Sequence, residues 1–261
     1  MTDQRIAVFG GVYNNHLALA AAIEDARQRG AEALFCLGDL GGFGPNPDRV
    51  YPLLRDHGVQ VMRGNYDISL AEGLEDCGCG YTDPRDNYFA EISYNYTFEH
   101  TSDANKQWLT TLPDHLRLQL GRYRIYMSHG SPRQVNEFLW ESTSPDCLLT
   151  KLCEDYDADV LLCTHTGIKW RRDLPQDRYC INVGVLGRPE NDGETHVWYT
   201  LLTAAPDLQV EFIPVHYDHQ GLAQEMRQEG LPEEFVETIL TGWWTTCLEV
   251  LPGKERSQGQ W

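Results

Sequence analysis

Four short polar segments carry side chains able to hold a metal ion: Gly38-Asp39-Leu-Gly-Gly-Phe-Gly44, Arg63-Gly-Asn65-Tyr-Asp67, Ser128-His129-Gly-Ser-Pro132 and Thr164-His165-Thr-Gly167. Asp39, Asn65, His129 and His165 together make a mixed oxygen and nitrogen donor set. Two imidazoles favour a transition metal such as Mn, Fe or Zn over Ca. With a single carboxylate among the donors, a divalent ion stays net positive, which suits it to polarise an ester and acidify water. Taken singly the signals are weak, because a Gly-Asp pair after a strand is usually a turn and a lone His usually a structural residue. Four in succession, each with a glycine that lets the backbone come close to a centre, are hard to explain as turns alone.

Other residues are candidates for touching a substrate. In Phe9-Gly10-Gly11-Val12-Tyr13-Asn14-Asn15, the backbone N–H groups from Gly10 to Asn14 and the amides of Asn14 and Asn15 stand at the start of a helix, where an anion can bind. A tight strand-to-helix turn without a ligand explains the same glycines equally well. Tyr66 has a phenol, with an ordinary pKa of about 10, and so suits hydrogen-bond donation better than proton shuttling. Arg133, just past His129, is a further candidate for a substrate anion. Asp39, His129 and Tyr66 are the residues assigned to catalysis.

These loops must be positioned by the elements around them. Ile6 to Phe9, Ala33 to Leu37 and Val59 to Met62 are short apolar runs separated by helical patterns at His16 to Arg29 and Asp48 to His57. That alternation predicts parallel strands with helices packed on them, and the loops at their carboxyl ends should face one another. Residues 74–88, rich in Gly, Asp and Pro, predict an irregular excursion, followed by a helix at Asp103 to Leu112. A hairpin around Gly121, a helix at Asp146 to Tyr156, strands at Ala158 to Cys163, Arg178 to Asn182, Thr195 to Leu202 and Leu208 to Val215, and two closing helices complete the pattern. Residues 254–261 read as a loose tail, and Trp243, Trp244 and Leu248 before it as buried.

The 261 residues carry a formal charge of −18, with 41% hydrophobic and 23% charged. Such a sequence can bury a sizeable core, while its acidity argues against nucleic acid or an anionic membrane as partner. Nothing marks export, and no apolar run spans a bilayer, so a cytoplasmic location is expected. The eight cysteines are then expected to remain thiols; Cys77 and Cys79 read as a glycine-rich turn rather than half of a zinc site.

The string of motifs resembles the calcineurin-like metallophosphoesterase superfamily, whose signatures are D-x-H, G-D-x-x-G, G-N-H-[DE] or G-N-x-D, a central H-G, and G-H-x-H. The resemblance covers nearly the whole sequence. Gly44-Pro-Asn-Pro47, Trp108-Leu109 with Leu112-Pro113, Asn182-Val-Gly184 with Gly187-Arg-Pro189, and Tyr217-Asp218 with Gly230-Leu-Pro232 look like its bacterial single-domain, phosphodiesterase-like branch. The resemblance implies a single α/β domain folded as a four-layer αββα sandwich, with two metals at its sheet ends. Asp39 then stands at the bridging position, and Asn65, His129 and His165 match the other ligands of one metal. Gly11 and Tyr13 occupy the Asp and His positions of the first motif, and Gly167 that of the last His. The other metal position therefore keeps Asp39 alone of its usual protein ligands, and Tyr13 is left to fill the space, to stack on an aromatic substrate or to ligate a hard metal as phenolate. The implied protein is a divergent hydrolase of a small phosphoester working with one divalent transition metal. A non-catalytic binding protein and a metal enzyme of another reaction class are the alternatives. The substrate and oligomeric state stay open.

Overall fold

The computed structural model describes residues 4–259. In sequence order the elements are β1 (Gln4–Phe9), α1 (His16–Gln28), β2 (Ala33–Cys36), α2 (Val50–Asp56) after a 3-10 turn, β3 (Gln60–Val61), α3 (Asn65–Glu72), α4 (Pro84–His100) and α5 (Asp103–Leu109). There follow β4 (Leu116–Leu120), β5 (Tyr123–Met127), α6 (Asp146–Asp155), β6 (Val160–Cys163), β7 (Trp170–Leu174), β8 (Arg178–Asn182), β9 (Val197–Ala204), β10 (Leu208–Val215), α7 (His219–Gln228), α8 (Glu233–Thr241) and α9 (Gly253–Arg256).

Two five-stranded mixed sheets result, ordered β10-β9-β1-β2-β3 and β4-β5-β6-β8-β7. β1, β2 and β3 run parallel, as do β5, β6 and β8, while β9, β10, β4 and β7 add antiparallel partners. Period-two alternation explains why β1 and β2 read as continuous apolar runs: both of their faces are covered. Ile6, Val8, Phe35 and Leu37 point into the inter-sheet core with Ile125, Met127, Leu162 and Ile181. Ala7, Phe9, Leu34 and Cys36 point the other way, among α1 and α2 residues such as Leu19, Ile23 and Leu54. On the far side α6 covers the second sheet through Leu149, Leu152 and Cys153. This is the four-layer αββα sandwich. Each fully buried Leu, Ile or Val contributes about 1.5–3 kcal/mol by leaving water, so the layers are held chiefly by these faces.

Three expectations fail, and one strand has no counterpart among them. Residues 84–88 are not irregular but open α4, which starts at Pro84 behind the capping Asp83. The buried stripe of α4 is Asp86, Phe89, Ser93, Tyr94 and Thr97, mostly polar, so no apolar period announces it. β7 also goes unannounced, because Arg171, Arg172 and Asp173 occupy its middle. Residues 254–259 are not a loose tail: Glu255 is buried and accepts from the Ser142 backbone N–H and hydroxyl; residues 260 and 261 lie outside the described ones. Finally, Cys77 and Cys79 form a disulfide, so those two are not thiols. Trp244 is buried as expected, with Trp243 and Leu248 half-buried. Among the described residues no helix is long and apolar enough to cross a membrane.

Candidate functional site

The carboxyl ends of β2, β3, β5 and β6 meet where the two sheets face each other. Asp39 follows β2, Asn65 opens α3 after β3, His129 follows β5 and His165 follows β6. Asp39 and His165 have left-handed backbones (φ 54° and 63°), an unfavourable conformation for residues with a Cβ that is tolerated where the surroundings impose it. Gly64 lets the loops close: a Cβ there would lie 2.3 Å from Asp39 Oδ1 and 2.7 Å from His129 Nδ1.

Donor atoms of Asp39, His129 and His165 all lie within 4.8 Å of one another. His129 Nε2 is 3.1 Å from Asp39 Oδ2 and 3.2 Å from His165 Nδ1. Its Nδ1 lies 2.7 Å from the Leu37 carbonyl, so Nδ1 carries the proton and Nε2 turns toward the cluster. Burial alone would raise the Asp39 carboxyl, but the neighbouring His129 outweighs it and holds it below the usual range. For His129 burial pulls downward, and Asp39 overrides it to leave the imidazole raised. Burial, reinforced by the charge of His129, depresses His165 to about 3, so its ring is neutral.

A metal fits this arrangement on direct grounds. His165 turns Nδ1 toward His129 Nε2, and Asn65 Oδ1 is buried with no hydrogen-bond partner, which is costly for a polar atom unless something electropositive meets it. Asn65 is oriented by its amide, whose Nδ2 donates to the Cys77 carbonyl at 2.8 Å and approaches Cys79 Sγ at 3.7 Å. Its Oδ1 is thereby left without a partner in the protein.

Behind Asp39 sits Asp67, whose role the sequence did not reveal. Its Oδ2 accepts from the N–H groups of Asp39 (2.7 Å) and Gly64 (2.8 Å), and its Oδ1 from that of Leu40 (3.0 Å). Burial, then the charge of Asp39, pushes this carboxyl up to about 7, against the pull of those donors. The G-N-x-D spacing was the available signal.

The expected substrate contacts divide. Tyr66 does reach the cavity of about 70 Å³ that Asp39 and His165 line. Its hydroxyl is 3.1 Å from that of Ser93 on α4, and burial raises its pKa, so it remains a neutral phenol. Tyr13 lies over Gly11 and Gly187 and also lines the cavity; burial keeps its phenol neutral too. The loop before it does not form an anion cradle. The N–H groups of Val12 and Tyr13 donate to the Asp39 carbonyl, and that of Asn14 to Leu40. Gly10 is needed for packing, since a Cβ there would fall 1.8 Å from the Gly184 carbonyl. The Asn14 amide donates to Gly44 O and Thr97 Oγ1, and Asn15 caps α1 by accepting from Ala18 N–H. Arg133 pairs with Glu137 and lines a second cavity, with Arg63, Ser131 and, from the cluster, His129. An exposed pair of this kind is worth about 0–1 kcal/mol, and Arg133→Ala is expected to change kcat/KM less than about twofold in steady-state assays. Arg188, missed as a site residue although Gly187-Arg-Pro189 belonged to the resemblance, lines the cavity instead.

This protein is 26% identical to the uncharacterized protein MJ0912 of Methanocaldococcus jannaschii over 93% of its own length and all of the relative's. Its structure resembles a metallophosphoesterase from Sphaerobacter thermophilus, with TM-score 0.70 and 25% identity over 92% of this chain and 100% of that one. It also resembles the hypothetical protein PH1004 from Pyrococcus horikoshii OT3, with TM-score 0.77 and 23% identity over 92% and 99%. The latter similarity concerns the fold alone. A model of the calcineurin-like phosphoesterase superfamily domain matches residues 5–204, which contain Asp39, Asn65, His129 and His165, and the protein therefore belongs to that superfamily.

Proposed function

We propose that this protein hydrolyses a small phosphoester with one divalent transition ion, Mn, Fe or Zn, held by Asp39, Asn65, His129 and His165. The observation that carries the reading is the convergence of Asp39, His129 and His165 donor atoms within 4.8 Å of one another, with the buried, unpartnered Asn65 Oδ1 as a further oxygen donor. A bound divalent ion would supply Lewis acidity, drawing charge from a phosphoryl oxygen and acidifying water.

The protein's own residues do the rest. Asp39 supplies the one formal negative charge of the donor set. The Leu37 carbonyl fixes the His129 tautomer, and the Cys77 carbonyl fixes the Asn65 amide. Tyr66, kept protonated by burial, presents a hydroxyl that donates to a phosphoryl oxygen while Ser93 holds it in place. No nucleic acid or membrane partner is invoked, since the formal charge of −18 opposes both.

The test joins metal analysis to a substrate panel. The full-length protein is expected to hold about one transition-metal ion per molecule and to turn over a phosphomonoester or phosphodiester only while it is bound. Chelation should abolish turnover and the removed metal restore it. Protein with no metal, whose ligand affinity survives Asp39→Ala, would instead be a binding module. Tight metal with every phosphoester class left intact would place the chemistry in another reaction class.

A further inference from the structure

Arg188 is 7% exposed and lines the same cavity as Asp39 and His165. Among the described residues it makes no hydrogen bond or ion pair, and its Nε is buried without an acceptor. Its guanidinium carbon instead sits over the Trp244 ring, 3.5 Å from the ring centre, and 5.9 Å from that of Phe43. Stacking on rings recovers part of the lost hydration, but a buried guanidinium retains donors that only an anion or a set of carbonyls can satisfy. A Cβ at Gly167, two residues past His165, would crowd, at 3.2 Å, the Trp244 ring that Arg188 covers.

We propose that Arg188 binds the phosphoryl group of an aromatic phosphoester, whose flat ring lies against the cavity's aromatic wall. The proposal rests on the hydrolase reading and names its substrate class. Charge decides the head group: a guanidinium fork matches two oxygens of a tetrahedral oxyanion and supplies a fixed positive charge beside the donors of Asp39 and His165. The wall decides the rest of the molecule. Tyr13, Phe43, Tyr81, Phe89 and Phe235 bring ring faces and edges, to which an aromatic group can stack. The few other hydroxyls of the cavity, such as those of Tyr66, Ser93 and Thr246, are outnumbered by these rings, so a sugar or glycerol would set most of its hydroxyls against apolar surface. Phe235 and Trp244 lie beyond residue 204, where the match to the family domain ends, so this wall is built in part by the protein's own C-terminal segment.

The experiment is calorimetric titration of phenylphosphonate, which cannot be hydrolysed at its P–C bond, into the full-length protein as purified and its Arg188→Met and Arg188→Lys variants. Metal content and thermal melting are measured on each. Loss of a charge-assisted pair predicts that Arg188→Met weakens binding by about tenfold or more, with Arg188→Lys between it and wild type. The melting temperature of Arg188→Met should be no lower than wild type, because an unpaired buried charge has been removed. Glycerol 1-phosphate should bind wild type about tenfold more weakly than phenylphosphonate. Equal phenylphosphonate affinity in wild type and both variants, at equal metal content, would overturn the role of Arg188. Equal affinity for the two ligands would overturn the aromatic assignment. Protein that holds no metal yet loses phenylphosphonate on Arg188→Met would support this site while sinking the hydrolase reading, so the two failures are distinguishable.

Discussion

Asp39→Asn is expected to reduce bound metal from about one ion per molecule to near zero and to lower turnover by about a thousandfold or more. The Asn substitution preserves shape: its carbonyl oxygen can still accept from the Tyr66 N–H, as Asp39 Oδ1 does at 3.0 Å. What disappears is the sole formal charge among the four proposed donors, and with it the partner 3.1 Å from His129 Nε2. The fold should survive, because the interlayer faces around Val8, Phe35, Met127 and Leu162 do not depend on that charge. Metal analysis and urea unfolding on the same sample separate the two effects. A variant that folds like wild type and retains full metal occupancy would remove Asp39 from the centre.

The second large effect falls on stability. Asp67→Ala leaves three buried N–H groups, those of Asp39, Leu40 and Gly64, without their acceptor. Each such loss is expensive, while removing a carboxylate crowded by Asp39 returns part of the cost, so the net destabilisation is expected to be about 3 kcal/mol. Urea denaturation reads it as a lower midpoint at unchanged slope. Metal affinity should fall by about ten- to a hundredfold as well, since Asp67 holds the turn that presents Asp39. A stability change below about 1 kcal/mol would mean that water replaces the lost acceptor, and that Asp67 does not set the Asp39 turn.

The acidic surface bears on both results. A phosphoester approaches a protein of charge −18 against an unfavourable field. Local positive charge must come from the ion and, in the proposed binding site, from Arg188.

Residue type and spacing determined much of this protein. Strands such as Arg178–Asn182 and Leu208–Val215 were legible to the residue, because both periodicity and flanking turns are local properties. The candidate cluster was legible for the same reason: Asp39, His129 and His165 each follow an apolar strand, with a glycine one or two residues away. Tertiary structure alone decided what the neighbouring groups do. The loop from Gly10 to Asn15 has the composition of an anion site, yet its amides meet carbonyls of Asp39, Leu40 and Gly44, partners about thirty residues away. α4 escaped notice because Ser93 and Thr97 are buried by hydrogen bonds to Phe43, Tyr66 and Asn14, and no hydrophobic period records such partners. Arg188 stood in the sequence only within the Gly187-Arg-Pro189 match. Its burial follows from Trp244 and Phe43, which converge on it from two distant parts of the sequence. Local sequence encodes where a strand ends and which donor it presents, whereas the partner of a buried amide or guanidinium is chosen only when the layers close.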